Sequence, residues 1–116
     1  MKKIFYLKTC DTCKRILKEF DLNDFELREI KSKPITEKEL KELRSLTDSY
    51  ESLLNKRAQI YKRDKLKDKN LSEQEIEKLI LSEYTLLKRP VFQFTDRIFI
   101  GNSKSTIEEL KIFIQS

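Results

Sequence analysis

The sequence predicts an α/β fold, a mixed β-sheet flanked by helices, with an α-helical insertion separating a β-α-β half from a β-β-α half. Three observations predict it. A short apolar run at residues 4–7 leads into an amphipathic helical pattern. Two capping boxes then punctuate a long helical middle. After Pro90 the apolar period switches to that of paired strands, before a last helical stripe closes the chain.

The elements follow in order. Residues 3–7 are expected as a first strand, apolar enough to be buried on both faces. Cys13, Ile16, Leu17 and Phe20 repeat at helical spacing, with Asp11 as the expected N-cap. Residues 21–24 read as a turn. Residues 25–30 read as a second strand whose alternation is imperfect, because Glu29 falls on the face of Phe25 and Leu27. Thr36 with Glu39 opens a helix carrying Leu40 and Leu43. A break at residues 47–49 precedes a second stripe of Tyr50, Leu53, Leu54, Ala58 and Tyr61. Residues 62–70 are charged and expected as a loop or frayed helix end. Ser72 with Glu75 opens another helix through Ile76, Leu79, Ile80 and Tyr84. Residues 91–94 and 97–100 form the expected strand pair, ended by Gly101. A last helix spans about residues 105–115, capped by Ser105 with Glu108 and facing Ile107, Leu110 and Ile114 inward. This is the thioredoxin-like (glutaredoxin-like) order, interrupted by a helical insertion at about residues 36–85.

Composition bounds the function. A chain of 116 residues suits one domain, expected to span residues 1–116, and 38% hydrophobic residues suffice for one modest core. Charged residues reach 39%, yet the net charge is only +5. So mild and mixed a balance predicts no direct nucleic-acid partner. The apolar run after Lys3 is too short for a secretion signal, and nothing is long enough to cross a bilayer. A cytoplasmic location without a membrane partner is therefore expected, where thiols stay reduced and Cys10 and Cys13 are poor candidates for a permanent bridge. The sequence has no histidine. That excludes Cys-His pairs, Ser-His-Asp triads and His-ligated metals.

Chemistry is left to thiols, carboxylates, Lys, Arg, Tyr and backbone dipoles. Cys10-Asp11-Thr12-Cys13 is a Cys-x-x-Cys between a strand and the first turn of a helix. Unpaired N–H groups and the helix dipole at such a place favour thiolate over thiol. Lys8, Lys14 and Arg15 add positive charge nearby. Cys10 is expected as the exposed nucleophile and Cys13 as the resolving thiol. Two alternatives stay open: Cys13 as an inert core residue, and a zinc site completed by carboxylates or water, although no metal is expected. Lys88-Arg89-Pro90 precedes a strand. In thioredoxin-like folds a proline here tends to be cis and to lie against the active cysteine, which carries Arg89 toward the thiol, where its planar fork suits an oxyanion. An edge-strand proline with solvated basic neighbours is the plainer reading. From Lys56 to Lys69, seven Lys or Arg stand against two Asp. That run is either a docking face for an anionic partner or a solvated surface. Tyr50, Tyr61 and Tyr84 read as core residues with wet hydroxyls.

Four motifs carry a resemblance: Thr9-Cys10-Asp11-Thr12-Cys13-Lys14, Leu53-Leu54-Asn55-Lys56-Arg57, Leu86-Leu87-Lys88-Arg89-Pro90-Val91, and Phe99-Ile100-Gly101-Asn102-Ser103. Over nearly its whole length the chain resembles the ArsC/Spx family, which groups glutaredoxin-dependent arsenate reductases with Spx-type redox regulators. The resemblance to the reductases implies Cys10 as the nucleophile, within an oxyanion site formed by three arginines. Arg89 matches the arginine before the cis-proline, Pro90. Asn55 stands where the middle-segment arginine falls, with Arg57 two residues on. Ile100 stands at or near the third, with Arg97 nearby. Asp11 and Thr12 complete the expected substrate-binding set. The resemblance also implies no bound cofactor and an electron supply from glutathione/glutaredoxin or thioredoxin. The substrate it implies is a small oxyanion or a thiol. Resemblance to the regulators implies instead a Cys10–Cys13 disulfide switch in a protein that binds the RNA polymerase α subunit. Lys56-Arg57-Ala58-Gln59-Ile60-Tyr61 resembles both.

Overall fold

The computed structural model describes residues 2–115. In chain order the elements are β1 (Lys2–Tyr6), α1 (Asp11–Leu17), β2 (Glu26–Glu29), α2 (Glu37–Ser45), α3 (Gln59–Arg63), α4 (Glu73–Ser82), β3 (Val91–Phe94), β4 (Ile98–Ile100) and α5 (Lys104–Gln115). Single 3-10 turns occur at Glu51–Leu53, Leu66–Asp68 and Tyr84–Leu86. The chain divides into two compact units, one of residues 1–33 with 89–116 and the other of residues 34–88.

The first unit is a mixed four-stranded sheet in the order β2-β1-β3-β4. β1 runs parallel to β2, with Phe5 beside Arg28, and antiparallel to β3, with Phe5 beside Val91. β3 and β4 form a hairpin with Phe92 beside Phe99. One face carries Ile4, Phe92, Phe94 and Phe99, which pack with Ile16 of α1 and with Ile107 and Leu110 of α5. Phe20, Phe25 and Phe113 join this cluster at ring-centroid distances of 4.8–5.8 Å. Edge-to-face packing of this kind adds to simple area burial. The fold is thioredoxin-like, as the element order predicts.

Local details differ from the sequence reading. Asp11 is the first helical residue; the N-cap is Cys10. α1 stops at Leu17, and two further turns bring Phe20 in to pack on Phe92 at 5.2 Å. In β2 the buried face is the opposite of the expected one. Leu27 is 46% exposed, whereas Arg28 is only 5% exposed and Ile30 is buried. Arg28 tolerates burial because its guanidinium lies over the Phe5 ring at 5.7 Å and Nη1 donates to the Lys33 carbonyl at 3.1 Å. α5 starts one residue early: Ser103, not Ser105, supplies the cap, its hydroxyl accepting from the Thr106 N–H at 3.2 Å. Ile114 is 40% exposed and does not face the core.

The second unit is helical. Both capping boxes form as expected, Thr36 with Glu39 and Ser72 with Glu75. Leu40, Leu43, Ile76 and Ile80 are buried on the inner faces of α2 and α4. The stripe from Tyr50 to Tyr61 is not one helix. It breaks into a 3-10 turn, an extended bridge pairing Leu54 with Leu87, and the short α3. The bridge wins because the Asn55 and Lys88 N–H groups gain bonds of 2.7 and 2.8 Å to the Leu86 and Leu53 carbonyls. Tyr50 donates its hydroxyl to Glu77 at 2.8 Å. Among the described residues, no helix is long and apolar enough to cross a membrane.

Candidate active site

The register of β1 and β3 assembles the site. Because Phe5 lies beside Val91 in antiparallel pairing, the exit of β1 and the entry of β3 lie at the same end of the sheet. A turn at residues 8–9 follows β1 and places Cys10 at the start of α1, while Arg89 immediately precedes β3 through a cis peptide bond to Pro90. Gly101 closes this corner. Its N–H donates to the Pro90 carbonyl at 2.9 Å, and its φ of 88° is one that a side-chain-bearing residue adopts at a cost.

Both cysteines are free thiols; Cys10 is partly exposed and Cys13 fully buried. For Cys10, partial burial opposes the charged form but is outweighed by hydrogen bonds from the Cys13 backbone N–H, the Cys13 thiol and the Arg89 guanidinium, together with the arginine's charge. The Cys10 thiol therefore ionises below its ordinary value. Cys13 goes the other way. Burial pushes its thiol up to about 12, a backbone hydrogen bond from Leu7 opposes the rise, and the neighbouring Cys10 charge adds to it. The two thiols are thus driven in opposite directions, Cys10 toward easier ionisation and Cys13 away from it.

Asp11 and Thr12 occupy the first turn of α1 between the two cysteines, Asp11 exposed and Thr12 half-buried. Arg97 lies at the other end of the hairpin, where its guanidinium stacks on Phe99 and Phe113 at 5.0 and 5.1 Å. Its carbonyl accepts from Phe94, whose strand partner is Lys2, at the opposite end of β1 from Cys10. Ile100, beside Val91, is the residue at the Cys10 end. Asn55 and Arg57 belong to the second unit. The Asn55 amide donates to the Thr85 carbonyl at 3.1 Å and its oxygen accepts from the Arg57 N–H at 3.1 Å. Asn55 thus holds a turn with both ends of its side chain. Arg57 is exposed. Among the described residues, no group of three or more His, Cys, Asp or Glu is placed to hold a metal ion.

The sequence reading passed over Glu29. Its carboxylate accepts from the Lys8 N–H at 3.0 Å, the Lys31 and Ser32 N–H groups at 3.1 and 2.7 Å, and the Ser32 hydroxyl at 2.8 Å. Slight burial opposes its ionisation, but these donors hold it below the usual carboxylate range. The one signal available was Glu29's departure from the β2 alternation.

A strand-to-helix Cys-x-x-Cys facing an arginine before a cis-proline, on a mixed four-stranded sheet, defines a thiol protein of the thioredoxin-like class. The sequence profile of the ArsC family matches residues 5–110, and the chain belongs to that family. Solved structures agree. An ArsC family related protein from Bacteroides fragilis superimposes with a TM-score of 0.80 at 24% identity, covering 94% of this chain and 96% of its own. A protein from Staphylococcus aureus gives 0.76 at 30% identity, with coverage of 94% and 97%. An arsenate reductase from Vibrio cholerae gives 0.73 at 17% identity, covering 96% of each chain. No curated protein matches by sequence.

Proposed function

We propose that this ArsC-family protein is a cytoplasmic thiol oxidoreductase in which Cys10 is the nucleophile and Cys13 the resolving thiol. The observation that carries the reading is a partly exposed Cys10 thiol hydrogen-bonded by the Cys13 N–H and Arg89, next to a Cys13 thiol that is fully buried. The Cys10 thiolate attacks the central atom of an oxyanion such as arsenate, which takes a proton from solvent and releases water, or attacks one sulfur of a disulfide, which releases a thiolate. Arg89 and the Cys13 N–H hold the negative charge at the reacting sulfur. Once Cys10 is bonded, the charge that helped raise Cys13 is gone, and Cys13 is easier to deprotonate. Its sulfur then attacks Cys10 and forms the Cys10–Cys13 disulfide. Two electrons pass to the substrate, so arsenate leaves as arsenite, and the Cys13 proton goes to the leaving group. Two electrons from glutathione with glutaredoxin, or from thioredoxin, restore both thiols.

The supporting arginine set is smaller than the resemblance implies. Arg89 is at the thiol, Arg97 stacks on aromatic rings at the other end of the sheet, and Asn55 holds a turn. An NADPH-coupled assay tests the reading, with arsenate and with a disulfide, each donor system supplied separately. Turnover by the wild type that is lost in Cys10→Ser is expected. Equal turnover by Cys10→Ser overturns the mechanism.

A second reading is supported by the direct Cys10–Cys13 hydrogen bonding, which keeps the two thiols adjacent. In it the disulfide is a switch that alters binding to the RNA polymerase α subunit. No turnover, with peroxide-driven disulfide formation and oxidation-dependent retention of that subunit, is its expected signature.

A further inference from the structure

The peptide unit joining Leu7 to Lys8 has a hydrogen bond at each end. Its N–H, on Lys8, donates to Glu29 Oε2 at 3.0 Å. Its C=O, on Leu7, accepts from the Cys10 N–H at 3.1 Å. A continuous relay therefore runs from the Glu29 carboxylate, through one peptide plane, to the backbone of Cys10. Leu7 N–H also hydrogen-bonds the Cys13 sulfur, so the same residue touches both thiols' surroundings. The other Glu29 oxygen is held by the Lys31 and Ser32 N–H groups and the Ser32 hydroxyl, which ties this carboxylate to the turn after β2.

We propose that Glu29 is a positioning residue for the Cys10 nucleophile: it fixes the plane of the Leu7–Lys8 peptide and thereby the start of α1, where Cys10 meets Arg89. The inference rests on the reading of Cys10 as the reactive thiol. Three features support it. The turn at residues 8–9 is exposed, so its own packing holds it weakly. The Cys10 N–H is itself bonded to the carbonyl of the peptide that Glu29 holds, so the start of α1 rests on that peptide's orientation. A charged acceptor makes the stronger kind of hydrogen bond, and bonds in series polarise one another.

Glutamine at this position tests the idea because it has one acceptor oxygen where four donors converge. Three of these donors lie on the Oε1 side. The amide oxygen of Glu29→Gln stays with them, and its NH2 group then opposes the Lys8 N–H. Ser32→Ala is the contrasting change, since it removes one bond on the turn side and leaves the Lys8 bond in place. The readout is the pH dependence of Cys10 alkylation by iodoacetamide, followed by peptide mapping, which requires no turnover. Glu29→Gln is expected to move the Cys10 midpoint upward by about one pH unit, slowing alkylation at pH 6 about tenfold. Ser32→Ala is expected to keep the wild-type profile. A wild-type profile in Glu29→Gln, or equal changes in both variants, overturns the proposal. In the unmodified protein, the Lys8 and Cys10 amide signals should titrate together with Glu29 in NMR spectra as pH falls through and below the usual carboxylate range. A Cys10 amide that ignores this titration overturns the relay even if Glu29→Gln does not fold. A protein that reduces no substrate but shows the displaced profile leaves the relay standing and removes only the oxidoreductase reading.

Discussion

Cys10 and Cys13 differ by three positions in sequence and sit in opposite electrostatic settings. Cys10 receives three donors and a positive charge, while Cys13 is sealed in the interior. Arg89 is a lever on that difference from outside the motif, because it supplies both a hydrogen bond and a charge. Arg89→Ala should raise the Cys10 midpoint, with alkylation at pH 6 slowed about tenfold or more. Arg89→Lys should recover only part of this, since an ammonium keeps the charge but loses the planar fork. An unchanged midpoint in Arg89→Ala would show that the Cys13 N–H and thiol sustain the shift without it. The pair of cysteines was legible in the sequence because a motif and a helix start lie within a few residues of each other. Glu29 was not, because its importance lies in a bond to Lys8, 21 residues away on another strand.

At the scale of elements, local chemistry was read well and non-local chemistry less well. Capping boxes are closed within four residues, so α2 and α4 began where Thr36 and Ser72 said they would. β2 was given the wrong buried face because Arg28 is accommodated by Phe5, on the neighbouring strand. Competing serines at the start of α5 were separated only by geometry. Ser103→Ala should therefore cost about 1 kcal/mol in chemical denaturation, and Ser105→Ala almost nothing. The reverse order would restore Ser105 as the cap. Gly101→Ala places a Cβ on a residue at φ 88° and should cost roughly 1–2 kcal/mol. Because the Gly101 N–H bonds the Pro90 carbonyl, the same variant should also disturb Cys10 alkylation.

For the whole molecule, the two thiols act on stability in opposite directions. Cys10, ionising more easily when folded, adds stability that is fully present above the ordinary thiol range and lost as pH falls through its folded value. Cys13, held to about 12, does the reverse. As pH rises from the ordinary thiol range toward 12, the unfolded chain releases its proton first and the folded state loses ground. Reduced wild type should therefore lose more stability between pH 8 and 11 than Cys13→Ala, measured by urea unfolding at each pH. Parallel curves would mean that the buried thiol does not keep its proton. Fold class and chain order were readable because they depend on periodicity over long windows. The second unit's broken stripe was not, because the Leu54 to Leu87 bridge joins segments far apart in the chain.

The pairing of β1 with β3 also sets a timetable. Cys10 and Cys13 belong to the first strand-helix unit, whereas Arg89 and Pro90 belong to the strand pair near the end of the chain. At synthesis rates of about 5–20 residues per second, roughly 4–16 s separate the translation of Cys10 from that of Arg89. Through that interval the growing chain carries its nucleophile without the guanidinium that sharpens it. Cys10 gains the help of that guanidinium only when the last strands dock, so on a half-made chain it ionises less readily than in the finished active site.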